Sequence, residues 1–289
     1  MRRAPLLLLV AIAVGACDVN RALDEILEAR HLAADLLVQF TKAADASNLA
    51  VMADTDEASV AFAKEASART AAVQKDLDAL KPLLEDLHFT EELRLLEEFR
   101  ARFGEYQTLD GSVLGLAVEN TNLKAQRLSF GAAQQAADAL GQSLDPLEPS
   151  GDSKEAWQVK AIAATIVARA REIQSLEAPH IAEPDDAVMD RVEKRMSSAE
   201  AEARQGLAQL AKLVRPVSQP KVAAASAALD RLVDVNRQMV QLSRRNTNVR
   251  SLALSLYQKR PLIAACEESL DKLQQALAKR AYAKPGRFS

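Results

Sequence analysis

Three glutamates precede histidines by three residues in this chain: Glu28/His31, Glu85/His88 and Glu177/His180. On a helix that spacing places carboxylate and imidazole on one face, the Glu-x-x-His pattern of di-iron carboxylate bundles. Such a site needs two pairs at one level and a Glu from each of two further helices. A turn near residue 54 would set His31 level with roughly residue 77, leaving His88 about 16 Å away at ~1.5 Å per residue. Pro179 separates Glu177 from His180, so that pair is expected in a turn rather than on one helical face. Solvated or capping histidines are the expectation, with no metal and no other cofactor. His-Glu-x-x-His, Gly-x-Ser-x-Gly and Cys-x-x-Cys-His are all absent from the sequence, so no catalytic residue is assigned and an enzyme is not expected.

A second group of residues is suited to holding a ligand. Arg244, Arg245 and Arg250 surround Asn246, and Lys124 and Arg127 lie beside Asn120. Guanidinium groups near a helix junction hold carboxylates bidentately. Asn120, Arg127, Arg244, Asn246 and Arg250 are therefore the candidate ligand-binding residues, for a small organic acid or amino acid. Two blander uses compete: a solvated face paired with acids on neighbouring helices, or contact with anionic lipid headgroups. From Arg237 onward there are eleven basic residues and three acidic ones, although the whole chain carries only −3. That balance argues against a generic nucleic-acid binder.

The elements that must position these residues are helices. Of 289 residues only 9 are Gly and 4% are aromatic, whereas Ala, Leu, Glu, Gln, Lys and Arg dominate. So few glycines disfavour a Rossmann or P-loop enzyme, and 48% hydrophobic residues exclude disorder. The chain also repeats itself. Asn120-Thr121-Asn122-Leu123-Lys124 returns as Asn246-Thr247-Asn248-Val249-Arg250, and Leu128-Ser129-Phe130 as Leu254-Ser255-Leu256, each 126 residues on. Phe103, Tyr106, Leu109, Val113 and Leu116 match Leu229, Leu232, Val235, Met239 and Leu242 at the same offset. Ala53–Ala58 aligns with Ala182–Ala187 at 129, and Leu140 and Leu147 with Leu270 and Leu277 at 130. Offsets that shift only at the joins are the mark of a duplicated helical unit.

The expected fold is all-α: tandem antiparallel helical bundles of four-helix type, with long coiled-coil-like helices. The expected division is a bundle over 17–145, a linker over 146–153 rich in proline, a second bundle over 154–283 and a tail over 284–289. In the first copy, helices are expected over about 21–52, from the Asp54-Thr55-Asp56 cap to about Leu87, and from Thr90 onward. In the second copy, breaks are expected at Ala178-Pro179 and around Arg215-Pro216 to Pro220. Leu109, Val113, Leu116, Asn120, Leu123, Arg127 and Phe130 alternate four and three apart, a coiled-coil seam matched in the second copy. Both asparagines fall on that seam. Either they cap a turn between the third and fourth helices, or the helix runs through and each Asn fixes register inside the core; the residues leave both open.

Met1-Arg2-Arg3 followed by the apolar stretch Leu6–Ala16 has the dimensions of a secretory leader, too short to span a bilayer. It ends Val14-Gly15-Ala16-Cys17-Asp18, which resembles a bacterial lipoprotein signal. The resemblance implies a signal peptide over 1–16, lipidation at Cys17 and Asp18 as an inner-membrane sorting residue. The mature chain would then be periplasmic, tethered to the inner membrane by its N-terminal lipid. Only Cys266 would remain as a thiol, expected to be buried on a helix.

Glu91–Tyr106 (EELRLLEEFRARFGEY) and Val113–Ala117 (VLGLA) resemble the third helix of the four-helix-bundle sensor domain of methyl-accepting chemotaxis proteins. Arg244–Ser255 (RRNTNVRSLALS) is similar to that family's passage from third to fourth helix. The resemblance spans both copies, about residues 21–283. It implies an extracytoplasmic input domain that binds small molecules between helices and works as a homodimer. The C-terminal Lys284–Ser289 does not continue into the family's second membrane span and signalling hairpin. The expectation is thus a sensor-like small-ligand or receptor-partner binding module without its own signalling domain. The alternative is a scaffolding envelope lipoprotein that holds other proteins and no small molecule.

Overall fold

The structure, a computed structural model, describes the backbone of residues 6–280 and the side chains of residues 21–280. Cys17 and Asp18 therefore lie outside the residues whose side chains are described. Among the described residues ten α-helices follow in order: α1 Leu6–Met52, α2 Asp56–Asp86, α3 Thr90–Glu119, α4 Thr121–Leu128, α5 Gln134–Ser143, α6 Ser153–Ala182, α7 Asp186–Leu213, α8 Gln219–Arg245, α9 Thr247–Leu254 and α10 Arg260–Arg280. A π turn joins α4 to α5 at Ser129–Ala133, and another joins α9 to α10 at Ser255–Lys259. No strand occurs among the described residues, apart from one isolated bridge between Pro149 and Val214. The fold is an all-α helical bundle. No helix among the described residues is long and apolar enough to cross a membrane.

Caps set several boundaries where the sequence places them. Thr55 accepts from the Ala58 amide at 3.1 Å to start α2, and Asp152 accepts from Lys154 and Glu155 to start α6. One expected break is absent: α6 runs through Pro179 to Ala182 and ends at Glu183, with Asp185 capping α7. The helix passes Pro179 in its last turn, where burial of Glu177, His180 and Ile181 outweighs one lost amide bond.

The chain divides into two compact units that are not consecutive in sequence. Among the described residues one comprises 6–118 with 251–280, the other 119–250. The expected bundles at 17–145 and 154–283 differ from this packing, because the fourth helical segment of each copy joins the other copy's first three helices. The 146–153 segment is likewise internal to the second unit. Ser150 donates to the Leu213 carbonyl at 2.8 Å, and the Arg215 amide to that of Glu148 at 2.9 Å.

In the first unit α1, α2, α3 and α10 bury Leu36, Phe40, Val73, Leu77, Phe99, Phe103, Tyr106, Leu270 and Leu273. Phe40 meets Phe99, Phe103 and Tyr106 edge-on at 5.1–6.1 Å between ring centroids. Cys266 is buried in the same core, and burial pushes its thiol up to about 12. In the second unit α5, α6, α7 and α8 bury Leu140, Ile166, Ala170, Ala203, Leu207, Ala225 and Leu229. The repeat substitutes alanine for bulk: Phe40 corresponds to Ala170, Val73 to Ala203 and Phe99 to Ala225.

Gly206 marks how tightly α7 meets α6. A Cβ there would lie 2.7 Å from Ile166 Cγ1 and 3.5 Å from Ile162 Cγ2. Ile166 is itself fully buried, so any shift of its side chain must be taken up within the core. Gly206→Ala should lower stability by about 1–3 kcal/mol in urea unfolding, although alanine is the better helix former by about 1 kcal/mol.

Candidate functional site

The second unit holds a buried polar arrangement, built where α3 gives way to α4 and α8 to α9. Asn120 and Asn246 stand between these helices in left-handed backbone, with φ of 50° and 52°. Asparagine tolerates that conformation better than other residues bearing a Cβ. Each therefore ends one helix and starts the next without a loop. The first amides of a helix have no partner within it. Here the two starting turns supply each other. Thr121 N–H donates to Thr247 Oγ1, and Thr247 N–H to Thr121 Oγ1, both at 3.1 Å. Asn122 N–H donates to Asn248 Oδ1, and Asn248 N–H to Asn122 Oδ1, both at 3.2 Å.

The amide side chains extend this exchange. Asn122 Nδ2 donates to Asn246 Oδ1 at 2.8 Å, and Asn248 Nδ2 to Asn120 Oδ1 at 2.9 Å. Asn122 Nδ2 also reaches the Ile181 carbonyl at 2.6 Å, while Asn246 Nδ2 reaches that of Glu183 at 2.8 Å. These two contacts fasten the end of α6. Asn120 Nδ2 is buried and has no partner among the described residues. Both sequence readings of the asparagines hold in part: each marks a helix break, and each also lies inside the packed unit.

The break changes which residues face inward. A left-handed residue resets helical phase, so beyond Asn120 the buried positions are Thr121, Asn122, Ala125, Ser129 and Ala133. The expected seam through Leu123, Arg127 and Phe130 is not followed; Phe130 is 75% exposed. In the second copy Thr247, Ser251, Ser255 and Lys259 are buried in the same way, and Leu256 is exposed. Positions four apart drift around an α-helix, and the wider π turn takes up that drift.

At the end of α6 sit Glu177 and His180, one helical turn apart and fully buried, contrary to the expected turn and the expected solvated or capping histidine. His180 Nδ1 lies 2.8 Å from Ser243 Oγ, and Nε2 lies 2.8 Å from Glu193 Oε1. Burial pushes the Glu193 carboxyl up, but hydrogen bonds from Arg244 and His180 outweigh it and hold the group below its ordinary value. Glu177 accepts from Ser129 Oγ at 2.6 Å through Oε2, while its Oε1 is buried without a hydrogen-bond partner. Burial raises this carboxyl to about 7, against the opposing pull of the Ser129 hydroxyl.

The five candidate ligand-binding residues do not share one surroundings. Asn120 and Asn246 come together through Asn248 and Asn122. Arg244 is committed to α7, bonding Glu193 at 2.6 Å, Asp190, and the Asp186 carboxylate at 3.7 Å. Arg127 and Arg250 have exposed side chains. Arg245 pairs with Glu119 at 2.7 Å. The other histidines are dispersed, His31 beside Asp35 and His88 at a helix end with φ of 58°. No group of three His, Cys, Asp or Glu side chains suited to a metal occurs among the described residues.

The first unit has its own buried polar layer, which the sequence reading missed. Lys259 Nζ lies 3.2 Å from Asp110 Oδ1 and 2.6 Å from Ser47 Oγ, and Ser47 bonds Asp110 at 2.5 Å. Burial pulls the Lys259 ammonium below its ordinary value, and Asp110 opposes that shift. Ser255, opening the π turn, meets Asn48 Oδ1 at 3.1 Å.

Glu177 dictates a pH dependence with a definite sign. Its carboxyl titrates near 7 when folded and near 4.5 when unfolded, so the folded state keeps the proton longer. Stability it confers is full below pH 4.5 and is lost as pH rises to about 7, by roughly 3 kcal/mol at most. In urea unfolding at successive pH values, Glu177→Gln should remove that fall; parallel curves for the two proteins would contradict it. No family model, curated protein or solved structure matches this chain.

Proposed function

We propose that this protein is a lipid-anchored, extracytoplasmic helical-bundle module that binds a small ligand or a receptor partner in a sensory system, and is not an enzyme. The observation that carries the reading is a group of buried amide and carboxyl atoms without hydrogen-bond partners in the second unit, Asn120 Nδ2, Glu177 Oε1 and Asn236 Oδ1; the first unit has unpartnered buried polar atoms too, at Thr70, Arg100 and Tyr106. Leaving such a group unpaired costs about 1–3 kcal/mol, a cost that a bound ligand would offset. The chemoreceptor-like stretches at Glu91–Tyr106 and Arg244–Ser255 support a sensor. The run ending Val14-Gly15-Ala16-Cys17 supports export and acylation at Cys17, with Asp18 favouring retention at the inner membrane.

A scaffolding role has its own support. Phe130, Trp157 and Tyr257 are 75%, 76% and 79% exposed, large apolar side chains of the kind that protein contacts cover. A receptor, another envelope protein or a second copy in a homodimer would be the partner of that reading.

Two measurements test the proposal. In a bacterial host fed radiolabelled palmitate, the wild-type chain should take up label and Cys17→Ser should not. A thermal-shift screen against organic acids, amino acids and divalent metals should give at least one saturable rise in melting temperature. If nothing shifts it, the small-ligand reading falls and crosslinking in the envelope becomes the test of the scaffold.

A further inference from the structure

The repeat permits the polar layers of the two units to be compared residue by residue. Burial follows an offset of 130 along α1 and α6: Leu36 and Ile166, Phe40 and Ala170, Ser47 and Glu177, Val51 and Ile181 are all buried. It follows 126 from α3 to α8 and across the π turns: Phe103 and Leu229, Tyr106 and Leu232, Ser129 and Ser255, Ala133 and Lys259. The layer Ser47–Asp110–Lys259 of the first unit therefore corresponds to Glu177–Asn236–Ala133 in the second.

In the first unit Ser47, Asp110 and Lys259 satisfy one another, while the Tyr106 hydroxyl beside Asp110 is buried without a hydrogen-bond partner. The Lys259 ammonium, 0% exposed, donates to Ser47 and Asp110 from inside the bundle. In the second unit the lysine is replaced by alanine, and a glutamate and an asparagine stand in place of Ser47 and Asp110. Glu177 Oε1 and Asn236 Oδ1 are both buried without a hydrogen-bond partner. The Asn236 amide nitrogen has only the weak thioether acceptor of Met196, at 3.6 Å. A cleft of about 290 Å3 between α6, α7 and α8 has Asn236 in its lining, with apolar walls from Ile173, Met196 and Val240 and the charged side chains of Glu193, Glu200 and Arg237 around it.

The geometry points to a binding site for a short primary amine in the second unit, its ammonium taking between Glu177 and Asn236 the place that Lys259 Nζ takes in the first. An ammonium brings three donors to two orphaned acceptors, one of them a carboxylate able to supply the countercharge. Alanine keeps the Cβ of lysine, so the missing fragment is n-propylammonium. The apolar walls suit a short alkyl chain of this kind. Neither the candidate arginines nor a carboxylate ligand is involved. This inference rests on the small-ligand reading above and specifies the ligand's chemistry.

The test is calorimetric titration and thermal shift of the purified full chain with n-propylammonium chloride, beside sodium propionate as the same chain with opposite charge. The amine should raise the melting temperature saturably and propionate should not. Glu177→Gln should weaken amine binding at least about tenfold. Ala133→Lys should supply the ammonium from within, melting above wild type and no longer responding to the amine. Should Ala133→Lys fail to fold, Glu177→Gln decides, and unchanged affinity in that variant overturns the inference. If propylammonium does nothing while organic acids or amino acids stabilise the protein, the amine site fails and the sensor reading stands. If no compound acts, both fail.

Discussion

Two helix starts face each other in the second unit, and everything placed around them depends on how their amides are satisfied. An isolated helix leaves its first N–H groups to water or a capping side chain. Here α4 and α9 cap one another, through a threonine hydroxyl and an asparagine carbonyl given in each direction. The abutting positive ends of two helix dipoles would otherwise repel. Identical residues at identical places make the exchange reciprocal, so a change in either copy removes bonds from both. The same asparagines hold the carbonyls of Ile181 and Glu183, which fixes the end of α6 and with it Glu177 and His180.

The duplicated units have diverged in chemistry rather than in frame. The first concentrates bulk, with Phe99, Phe103 and Tyr106 packed around Phe40 and a lysine neutralised inside by aspartate. Such a buried pair holds because each partner compensates the other; removing one alone costs about 3–5 kcal/mol. The second has alanines where the first has phenylalanines, a glycine against Ile166, and a carboxyl without a countercharge. A layer that pairs its own charges is a structural device. An open one, with acceptors and no donor, is where a ligand would find unmet hydrogen bonds.

Much of the frame was legible from residue types. Thr55 marks a helix start because capping is a local property, Thr90 opens α3 ahead of two acids in its first turn, and Cys266 follows the apolar pattern into the core. The 126-residue echo of Asn-Thr-Asn located the crossing but not its pairing, since periodicity records which residues are alike and not which meet. For the same reason the repeat gave consecutive bundles, where packing joins α4 and α5 to α6, α7 and α8. The seam through Arg127 and Phe130 failed because one left-handed residue shifts the phase of all that follow. Pro179 signals a break by a local rule, but burial of its neighbours carries α6 through it. The Lys259–Asp110 contact links residues 149 apart, beyond any local pattern.

Hydrogen exchange at the crossing tests the account most directly. The amides of Thr121, Asn122, Thr247 and Asn248 occupy first-turn positions that ordinarily exchange fast, because nothing within their own helix protects them. Reciprocal capping in a buried setting should place them among the slowest amides of the chain, exchanging only with opening of the whole unit. Rates typical of a free helix start at these four positions would contradict it, and the arrangement of Glu177 and its neighbours would lose its support.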